Sequence, residues 1–436
     1  MTDIDTLPKP KLSADETERL RRVTTRPAVQ KLLGLLNDDK DRTLIVGGAV
    51  RNALLDDPVA DIDLATTLTP EAVMERASHA GMKVVPTGLD HGTLTIVHGG
   101  HGFEVTTLRK DIATDGRRAT IAYSRSFKED AARRDFTMNA LYADAQAVLY
   151  DPVAGLDDLR RKDLRFIGDA RTRIREDYLR ILRFFRFFAD YAAGDINVTG
   201  LAACIALKDG LAGLSRERIG HEWLKLLMAR RACETIALMQ DKGLTETLVP
   251  MALTPHHLDA LLALLPQAEP MTRLFALLDP DEAEIAACQS ALRLSNAQTH
   301  EMTALARALA DVPQPLATDP PSVTALQVWA FRHTIPLASI ALALYCVRNP
   351  APSPAQTQVL FDALRAPLAH IPAQSPFSGR DLLSHGVKSG PVLGALLQKL
   401  DDLWIEAGCP DDPAALNALI RRVVNQEKDL SQPDRH

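Results

Sequence analysis

The chain has 436 residues, of which 46% are hydrophobic and 24% are charged, a composition typical of a globular protein with about two to four domains. Its longest apolar run, near Ile335 to Val347, falls short of the roughly 20 residues that cross a bilayer. We therefore predict a buried helix there and exclude a membrane-spanning protein. The net charge of −6, taken alone, argues against a nucleic-acid partner.

Basic charge is nevertheless concentrated in two stretches of the first half. Residues 109–134 contain eight basic and four acidic residues, and residues 158–186 contain ten basic and five acidic residues. Their net charges are +4 and +5, which leaves about −15 for the rest of the chain. Such clusters suit a cleft that handles RNA, although a few salt-bridged helices would give the same pattern.

The cysteines and the N-terminus predict the compartment. Five cysteines stand singly, without the Cys-x-x-Cys spacing of zinc sites, at positions 204, 233, 288, 346 and 409. The first residues show no basic-then-apolar export pattern. We therefore expect reduced thiols and a cytoplasmic protein with no membrane association. No protein partner is evident from the sequence.

In chain order, the first predicted elements are helices. Residues 1–24 are polar and poorly patterned, but Ser13 with Glu16 predicts a capping box at the start of a short helix. Pro27 suits the first turn of a second helix, which we expect to run to about Leu36.

Residues 43–55 predict a strand, a tight turn and a helix. An apolar run ends at Gly47-Gly48, and good helix formers follow to Leu55. Glycines let an anionic group approach the backbone, and the positive end of the helix dipole favours it. Arg51 lies one turn into this helix. The stretch therefore predicts a phosphate-binding turn.

Asp61 and Asp63 follow that helix and alternate with the apolar residues Ile62 and Leu64. In a strand both carboxylates would share one face, where their repulsion calls for a cation. Mg²⁺ is the natural candidate, because it takes one or two carboxylates and completes its shell with water and phosphate oxygens. No Walker sequence is present, so a P-loop is excluded.

Two strands are predicted at residues 93–98 and 103–108, joined by a glycine-rich turn. On the second strand Glu104 is either a third acid near the aspartate pair or an ordinary residue of an edge strand. Glu104 and Arg109 are accessory candidates. Residues 111–130, which include the sequence DGRR at 115–118, are polar and predict a mobile loop.

The segment from Arg133 to Tyr142 reads RRDFTMNALY. Arg134 belongs to an arginine pair that offers forks for phosphate oxygens. Asp135 and Asn139 stand one helical turn apart, so on a helix both could hydrogen-bond ribose hydroxyls. From the residues alone, a helix cap with salt bridges explains the segment equally well.

Residues 175–186 predict an amphipathic helix with a phenylalanine-rich buried face. Asp177 and Arg180 stand three residues apart on it. An acceptor beside a donor fork can read the pairing edge of cytosine or adenine, whereas the alternative is an intrahelical ion pair worth only about 0.3–0.5 kcal/mol. Arg183 and Arg186, further along the same helix, are accessory candidates.

Taken together, these stretches resemble the polymerase β-like nucleotidyltransferases, in the branch of class II tRNA CCA-adding enzymes and bacterial poly(A) polymerases. Residues 47–63 resemble the family's first motif, although Asn52 replaces an aspartate and Asp56 a glycine. Residues 133–141 match RRDFTxNAL, residues 176–180 match EDxxR, and residues 214–227 resemble the motif that closes the conserved region. The resemblance covers roughly residues 40–230.

The resemblance implies roles for these residues. Asp61 and Asp63 would be catalytic and hold Mg²⁺, and Asp177 with Arg180 would select CTP and ATP as a protein template. The remaining nucleotide-binding residues would be Gly47, Gly48, Arg51, Arg134, Asp135 and Asn139. Arg218 and Glu222 would brace the selecting helix, and His221 is expected to be packed. The replacement of the family aspartate by Asn52 removes a carboxylate near the turn.

The expected fold class is α+β, a polymerase β-like head followed by an all-helical neck, body and tail. We place an N-terminal polar segment at 1–24, the head at 25–150, the neck with the selecting helix at 151–228, the body at 229–312 and an RNA-binding tail at 313–436. A proline-rich break at 313–322 separates helical groups.

The expected reaction is template-independent addition of CCA to the 3′ end of tRNA from CTP and ATP, with release of pyrophosphate. The alternatives are a bacterial poly(A) polymerase and a CC-only or A-only tRNA enzyme. From a different class, a non-catalytic RNA-binding protein would be expected to have lost one of the site residues, yet all are present. A nucleotidyltransferase acting on a small acceptor would not need the basic stretches.

Overall fold

The protein is described by a computed structural model that covers residues 2–89, 92–115, 118–249, 251–278, 281–313, 323–349, 353–365, 374–388 and 390–430. The chain divides into two units, Met1–Val249 and Pro250–His436. The predicted break at 313–322 lies almost wholly outside the described residues, as do the two central residues of DGRR at 115–118.

A seven-stranded mixed sheet forms the centre of the first unit. Its strand order is β3-β4-β5-β2-β1-β8-β9, and β6 pairs with β7 in a separate two-stranded sheet. The strands are β1 (Thr43–Val46), β2 (Asp63–Thr66), β3 (Lys83–Gly88), β4 (Thr93–His98), β5 (His101–Thr107), β6 (Arg109–Asp115), β7 (Arg118–Tyr123), β8 (Tyr142–Ala143) and β9 (Leu149–Tyr150).

The register of the central strands brings distant segments to one edge of the sheet. β1 and β2 are antiparallel, so Val46 at the end of β1 lies opposite Asp63 at the start of β2. Val46 also pairs with Tyr142 of β8 on its other side. The glycine turn after β1, the start of β2 with its aspartates and the segment before β8 therefore meet. All four residues of β1 are buried, as its apolar sequence requires.

The described part of the first unit also contains eleven α-helices. They are α1 (Ala14–Thr24), α2 (Pro27–Leu36), α3 (Gly48–Leu55), α4 (Pro70–His79), α5 (Phe127–Ala132), α6 (Gly155–Arg161), α7 (Ala170–Glu176), α8 (Leu179–Tyr191), α9 (Val198–Ala206), α10 (Arg216–Leu227) and α11 (Ala232–Asp241). The predicted capping box is confirmed, because Ser13 and Glu16 exchange hydrogen bonds at the start of α1. The predicted helix from Pro27 to Leu36 is confirmed as α2.

Three local predictions were wrong. Residues 111–130 were expected to be a mobile loop, but they contribute to the β6–β7 hairpin and to α5, whose N-cap Ser126 accepts a hydrogen bond from the amide of Glu129. Asp135 and Asn139 do not share an α-helix, since only a 3₁₀ turn forms at Thr137–Asn139. His221 is exposed rather than packed, because α10 buries its other face through Glu222 and Trp223.

The phenylalanines of α8 join this helix to the segment before β8. Phe136 packs against Phe166 and Phe187 at centroid distances of 4.9 and 5.3 Å, and Phe166 stacks on Phe184 at 5.2 Å. The buried face predicted for this helix is therefore confirmed. Its predicted start was wrong, because α7 ends at Glu176 and α8 begins at Leu179. Asp177 between them is extended, and its carboxylate accepts a hydrogen bond from the amide of Leu179.

The described elements of the second unit are helices. They are α12 (Pro255–Leu264), α13 (Pro270–Leu278), α14 (Glu282–Leu292), α15 (Asn296–Ala310), α16 (Val323–His333), α17 (Ile335–Arg348), α18 (Pro354–Arg365), α19 (Gly379–Ser384), α20 (Pro391–Glu406) and α21 (Pro413–Leu430). One core cluster of this unit surrounds Trp404, which is 2% exposed. The buried helix predicted from the apolar run is α17.

The mixed sheet followed by successive helices confirms the predicted α+β class. Within the described ranges, every helix is too short or too polar to cross a bilayer. The five cysteines are free thiols, as expected, and burial raises the pKa of Cys288 to about 12. The five-part division into segment, head, neck, body and tail stays a prediction.

Candidate active site

A pocket of about 430 Å³ in the first unit gathers most of the predicted site residues. Those that line it are Gly47, Gly48, Arg51, Asp61, Asp63, Arg134, Asp135, Asn139, Arg183 and Arg186. Glu104, Arg109, Asp177 and Arg180 are not among its lining residues. The pocket thus joins the turn after β1, the approach to β2, the segment before β8 and the neck helix α8.

The glycine turn has two guanidinium groups against it. Gly47 has φ of +70°, which favours glycine, and its amide donates to the carbonyl of Leu141 at 3.0 Å. A Cβ on Gly47 would lie 3.4 Å from Nη1 of Arg134, and one on Gly48 would lie 3.7 Å from Nη2 of Arg51. The start of α3 and two cations therefore surround the same small space, which suits an anionic group.

Asp61 and Asp63 lie together, as predicted, although only Asp63 belongs to the strand. Ile62 between them is only 5% exposed, which fits its predicted alternation with the two carboxylates. Partial burial and the negative charges of Glu104 and Asp61 raise the pKa of Asp63 to about 6, against the opposing effect of Arg134. A cation beside Asp63 would relieve this repulsion.

Glu104 lies next to Asp63 in the parallel register of β5 and β2. Since β5 runs between β4 and β2, the alternative of an edge-strand glutamate was wrong. Within the described ranges, no three His, Cys, Asp or Glu side chains are grouped closely enough to hold a metal ion. A metal held by Asp61 and Asp63 would therefore need ligands from substrate and water, as Mg²⁺ commonly uses.

The side chain of Asp130 holds Arg134 in place. Asp130 is 1% exposed; its carboxylate accepts from Nε of Arg133 at 2.9 Å, from Nε of Arg134 at 3.0 Å and from the hydroxyl of Tyr142 at 2.8 Å. Burial opposes its ionisation, but Arg134 and Arg133 outweigh burial and lower its pKa. Asp130 is thus an ionised, fully paired carboxylate directly behind a pocket residue.

Asp135 and Asn139 are part of a hydrogen-bond chain between the sheet and the neck. The amide nitrogen of Asn139 donates to Asp135 at 3.0 Å, and Nε and Nη2 of Arg183 donate to the other carboxylate oxygen at 2.8 and 2.6 Å. Arg51 donates to the amide oxygen of Asn139. Burial opposes ionisation of Asp135, but Arg183 and Asn139 lower its pKa to about 2.

This pKa predicts how Asp135 contributes to stability. An aspartate in the unfolded chain titrates near pH 3.9. The stabilisation that ionised Asp135 gives the folded protein is therefore fully present above that pH and is lost as the pH falls towards 2. D135N should lower the free energy of unfolding by about 2 kcal/mol at pH 6, and by about half as much at pH 3. Urea unfolding of both proteins at these pH values measures the difference. A loss that is equal at both pH values would contradict the assignment, and the exposed D39N is the control.

The neck wall of the pocket is cationic and aromatic. Arg186 donates through Nε to Glu222 at 2.7 Å, and Arg183 lies 3.5 Å from the same carboxylate. The guanidinium of Arg186 stacks on Phe187, with its Cζ 4.3 Å from the ring centroid. The predicted bracing of α8 by Glu222 is therefore confirmed, and Lys225 completes this wall one turn later on α10.

The base-selecting candidates are held beside the pocket by other partners. Asp177 accepts from Arg218 at 2.7 Å, which confirms the predicted bracing by Arg218. Arg180 donates to Glu176 at 2.5 Å and to the carbonyl of Arg133 at 3.0 Å. The alternative prediction, an ion pair between Asp177 and Arg180, was therefore wrong, because each side chain pairs with a different residue. Their role in base selection stays a prediction.

Sequence reasoning gave no role to several residues of the site. Asp130 could have been found, since it precedes Arg133 and Arg134 by three and four residues, the spacing of helical ion pairs. Phe187 lies one residue beyond the helix predicted at 175–186, and Lys225 was given no role within the closing motif. Asn52 accepts from Nε of Arg51 at 3.1 Å and donates to the carbonyl of Pro58 at 3.0 Å. An aspartate could not make the second hydrogen bond.

Comparisons with known proteins agree with this architecture. A family model described as "Poly A polymerase head domain" matches residues 43–165, and one described as "Probable RNA and SrmB- binding site of polymerase A" matches residues 197–253. The chain is similar to a solved CCA-adding enzyme of Bacillus stearothermophilus in complex with CTP. That likeness has a TM-score of 0.73 and 27% identity, and it covers 93% of this chain and 100% of that chain.

Curated relatives cover most of the chain. Human "CCA tRNA nucleotidyltransferase 1, mitochondrial" is 30% identical over 405 residues, which is 90% of each protein. The "CCA-adding enzyme" of Leuconostoc citreum is 30% identical over 389 residues, 88% of this chain and 93% of that protein. The zebrafish (Danio rerio) "CCA tRNA nucleotidyltransferase 1, mitochondrial" is 42% identical over 205 residues, where the chain spans only 48% of the relative. With the head motifs gathered in one pocket, these likenesses show that the chain belongs to the CCA tRNA nucleotidyltransferase family.

Proposed function

We propose that this enzyme adds CCA to the 3′ end of tRNA, taking CTP and ATP without a nucleic-acid template and releasing pyrophosphate. The observation that carries the proposal is the single pocket in which a glycine turn, two arginines and two aspartates face the neck helix. The family to which the chain belongs supports the same activity. Each cycle would join the 3′-hydroxyl of the RNA to the α-phosphate of the nucleotide.

The residues around the turn would hold the triphosphate. Gly47 and Gly48 let phosphate oxygens approach the backbone, and Arg51 and Arg134 place positive charge on either side. Asp130 keeps the fork of Arg134 in place through a buried ion pair. Because these groups are set before substrate arrives, little reorganisation would accompany the transfer of charge to pyrophosphate.

We further propose that Asp61 and Asp63 bind Mg²⁺. Their donor set fits, because two hard carboxylate oxygens lie side by side with a third acid, Glu104, next to Asp63. The chemistry that the ion supplies when bound is activation of the 3′-hydroxyl and neutralisation of phosphate charge. Glu104 would orient water rather than ligate, since it does not line the pocket.

Base selection is assigned to Asp177 and Arg180, and ribose binding to Asp135 and Asn139. A carboxylate accepts several hydrogen bonds, so Asp177 can keep Arg218 and still receive the amino group of cytosine or adenine. Arg180 is fixed by Glu176 and offers the complementary donors. No RNA template is then needed, because these side chains present the pairing edge themselves.

We propose that residues 25–150 form the head, 151–228 the neck, 229–312 the body and 313–436 an RNA-binding tail, after an N-terminal segment at 1–24. One solved neighbour is described as a Thermotoga maritima CCA-adding enzyme complexed with tRNA, and at 18% identity its likeness to this chain concerns the fold alone. We place the protein in the cytoplasm, whereas the human and zebrafish relatives are described as mitochondrial.

A poly(A) polymerase is the second candidate, because the family model that matches the head carries that description. The test is incubation of purified protein and Mg²⁺ with tRNA transcripts that end at the discriminator base, at C or at CC. Labelled CTP, ATP or both are supplied, and product lengths are read on a gel. Completion to CCA followed by a stop supports the proposal. A stop after CC, or growth only from CC, would divide the activity, and a long A ladder on unrelated RNA would favour the polymerase.

A further inference from the structure

Arg51 is a buried cation whose partners are uncharged. It is 6% exposed and donates from Nε and Nη2 to the amide oxygen of Asn52 at 3.1 and 2.9 Å. It also donates to the amide oxygen of Asn139. Among the residues that the structure describes, no carboxylate forms an ion pair with it. Its charge is therefore available to a ligand, and Nη2 lies against the turn at Gly48.

Tyr191, the last residue of α8, holds this guanidinium in two ways. Its hydroxyl accepts from Nη2 of Arg51 at 2.8 Å, across 140 residues of chain. Its ring lies against the guanidinium, with Cζ of Arg51 3.9 Å from the ring centroid. The ring is in turn fixed by Phe187 at 5.6 Å. The hydrogen bond to the hydroxyl therefore sets the position of Nη2, and the contact with the ring sets the orientation of the guanidinium plane.

We propose that Tyr191 is a positioning residue for the incoming nucleotide, which holds Arg51 against the Gly47-Gly48 turn so that the cation receives the triphosphate. The inference rests on the proposed function and deepens it, because it adds a neck residue to the phosphate-binding group of the head. Asn52 and Asn139 fix only hydrogen-bond directions, and the Phe187 ring lies further from the guanidinium, with its centroid 5.1 Å from Cζ of Arg51, so without Tyr191 the guanidinium can tilt away from the turn. Tyr191 itself need not touch substrate.

The first test compares Y191F and Y191L with Y150F. Tyr150 donates its hydroxyl to Asp144 at 3.0 Å and does not line the pocket, so Y150F removes a similar hydrogen bond elsewhere in the same unit. The Kd of CTP is measured by calorimetry without RNA, alongside kcat and KM for CTP and thermal unfolding. We expect Y191F to raise Kd and KM about fivefold and Y191L about tenfold or more, with kcat changed less than about twofold. Y150F should leave the Kd, the KM and the kcat for CTP unchanged.

A double-mutant cycle separates positioning from a structural role. R51A weakens CTP binding by removing the cation, and Y191F added to R51A should then cost nothing further, since Tyr191 acts through Arg51. Full additivity of the two changes, or equal CTP affinity in Y191F and Y150F, would overturn the inference. A wild-type protein that binds CTP but extends no tRNA would contradict the proposed function alone. A wild-type protein that binds no nucleotide would overturn both.

Discussion

Asp63→Asn is expected to reduce nucleotide addition at least about a thousandfold while the protein stays folded. The carboxylate lies at the start of β2, beside Asp61 and in register with Glu104. If it holds Mg²⁺, its loss removes several kcal/mol of charge stabilisation from the transition state. D61N should act in the same way.

The folded state should not suffer from this change, because Asp63 stands among like charges whose repulsion asparagine relieves. We therefore expect the thermal unfolding temperature of D63N to equal or exceed that of the wild type. D56N is the matched control, since Asp56 ends α3 close by in sequence but does not line the pocket. It should retain full activity. Substantial incorporation by both D61N and D63N would remove these carboxylates from the mechanism.

Asp130→Asn is expected to cost stability and nucleotide affinity together. The carboxylate is almost fully buried and balances Arg133 and Arg134 while accepting from Tyr142. Removal of one partner from a buried ion pair costs about 3–5 kcal/mol, because the remaining charge stays desolvated. Urea unfolding should show a loss in this range. CTP binding should also weaken, since Arg134 loses the group that aims its fork at the turn.

D158N provides the control for D130N. Asp158 is equally buried, pairs with Arg161 and Arg165 and accepts from the hydroxyl of Thr137; in the described part of the chain it has no hydrogen bond or ion pair with a residue that lines the pocket. Its substitution should destabilise the protein with little change in the Kd of CTP. If D130N binds CTP as tightly as D158N does, Arg134 does not depend on Asp130 for its position.

The local pattern of the head was strong enough to predict its centre. An apolar run, two glycines and helix formers predicted β1, the turn and α3, and the alternation after Asp61 predicted β2. These elements could be predicted because glycine turns and the hydrophobic pattern determine secondary structure over only a few residues. Asp56 adopts φ of +60°, which explains why the resembling family places glycine there.

The sequence failed where pairing partners decide the structure. The sequence around the β6–β7 hairpin contains Asp115-Gly116, a dipeptide typical of hairpin turns, but this signal was missed because the segment is polar and was predicted as a loop. Asp177 was placed inside a continuous helix, yet its own carboxylate starts α8 by binding the amide of Leu179. The contact of Tyr191 with Arg51 joins residues that no spacing rule relates. Contacts of this kind depend on tertiary packing, and the periodic pattern of hydrophobic residues does not predict them.

We expect this protein to add CCA to the 3′ end of tRNA and then to stop. The most direct measurement supplies all four nucleoside triphosphates at equal concentrations to a tRNA lacking its last three residues and to an unrelated RNA, and sequences the 3′ ends of the products. We predict that the tRNA ends in CCA with no fourth residue and that the unrelated RNA is barely extended. Long adenosine tails on both RNAs, or incorporation of U and G into tRNA, would contradict the account.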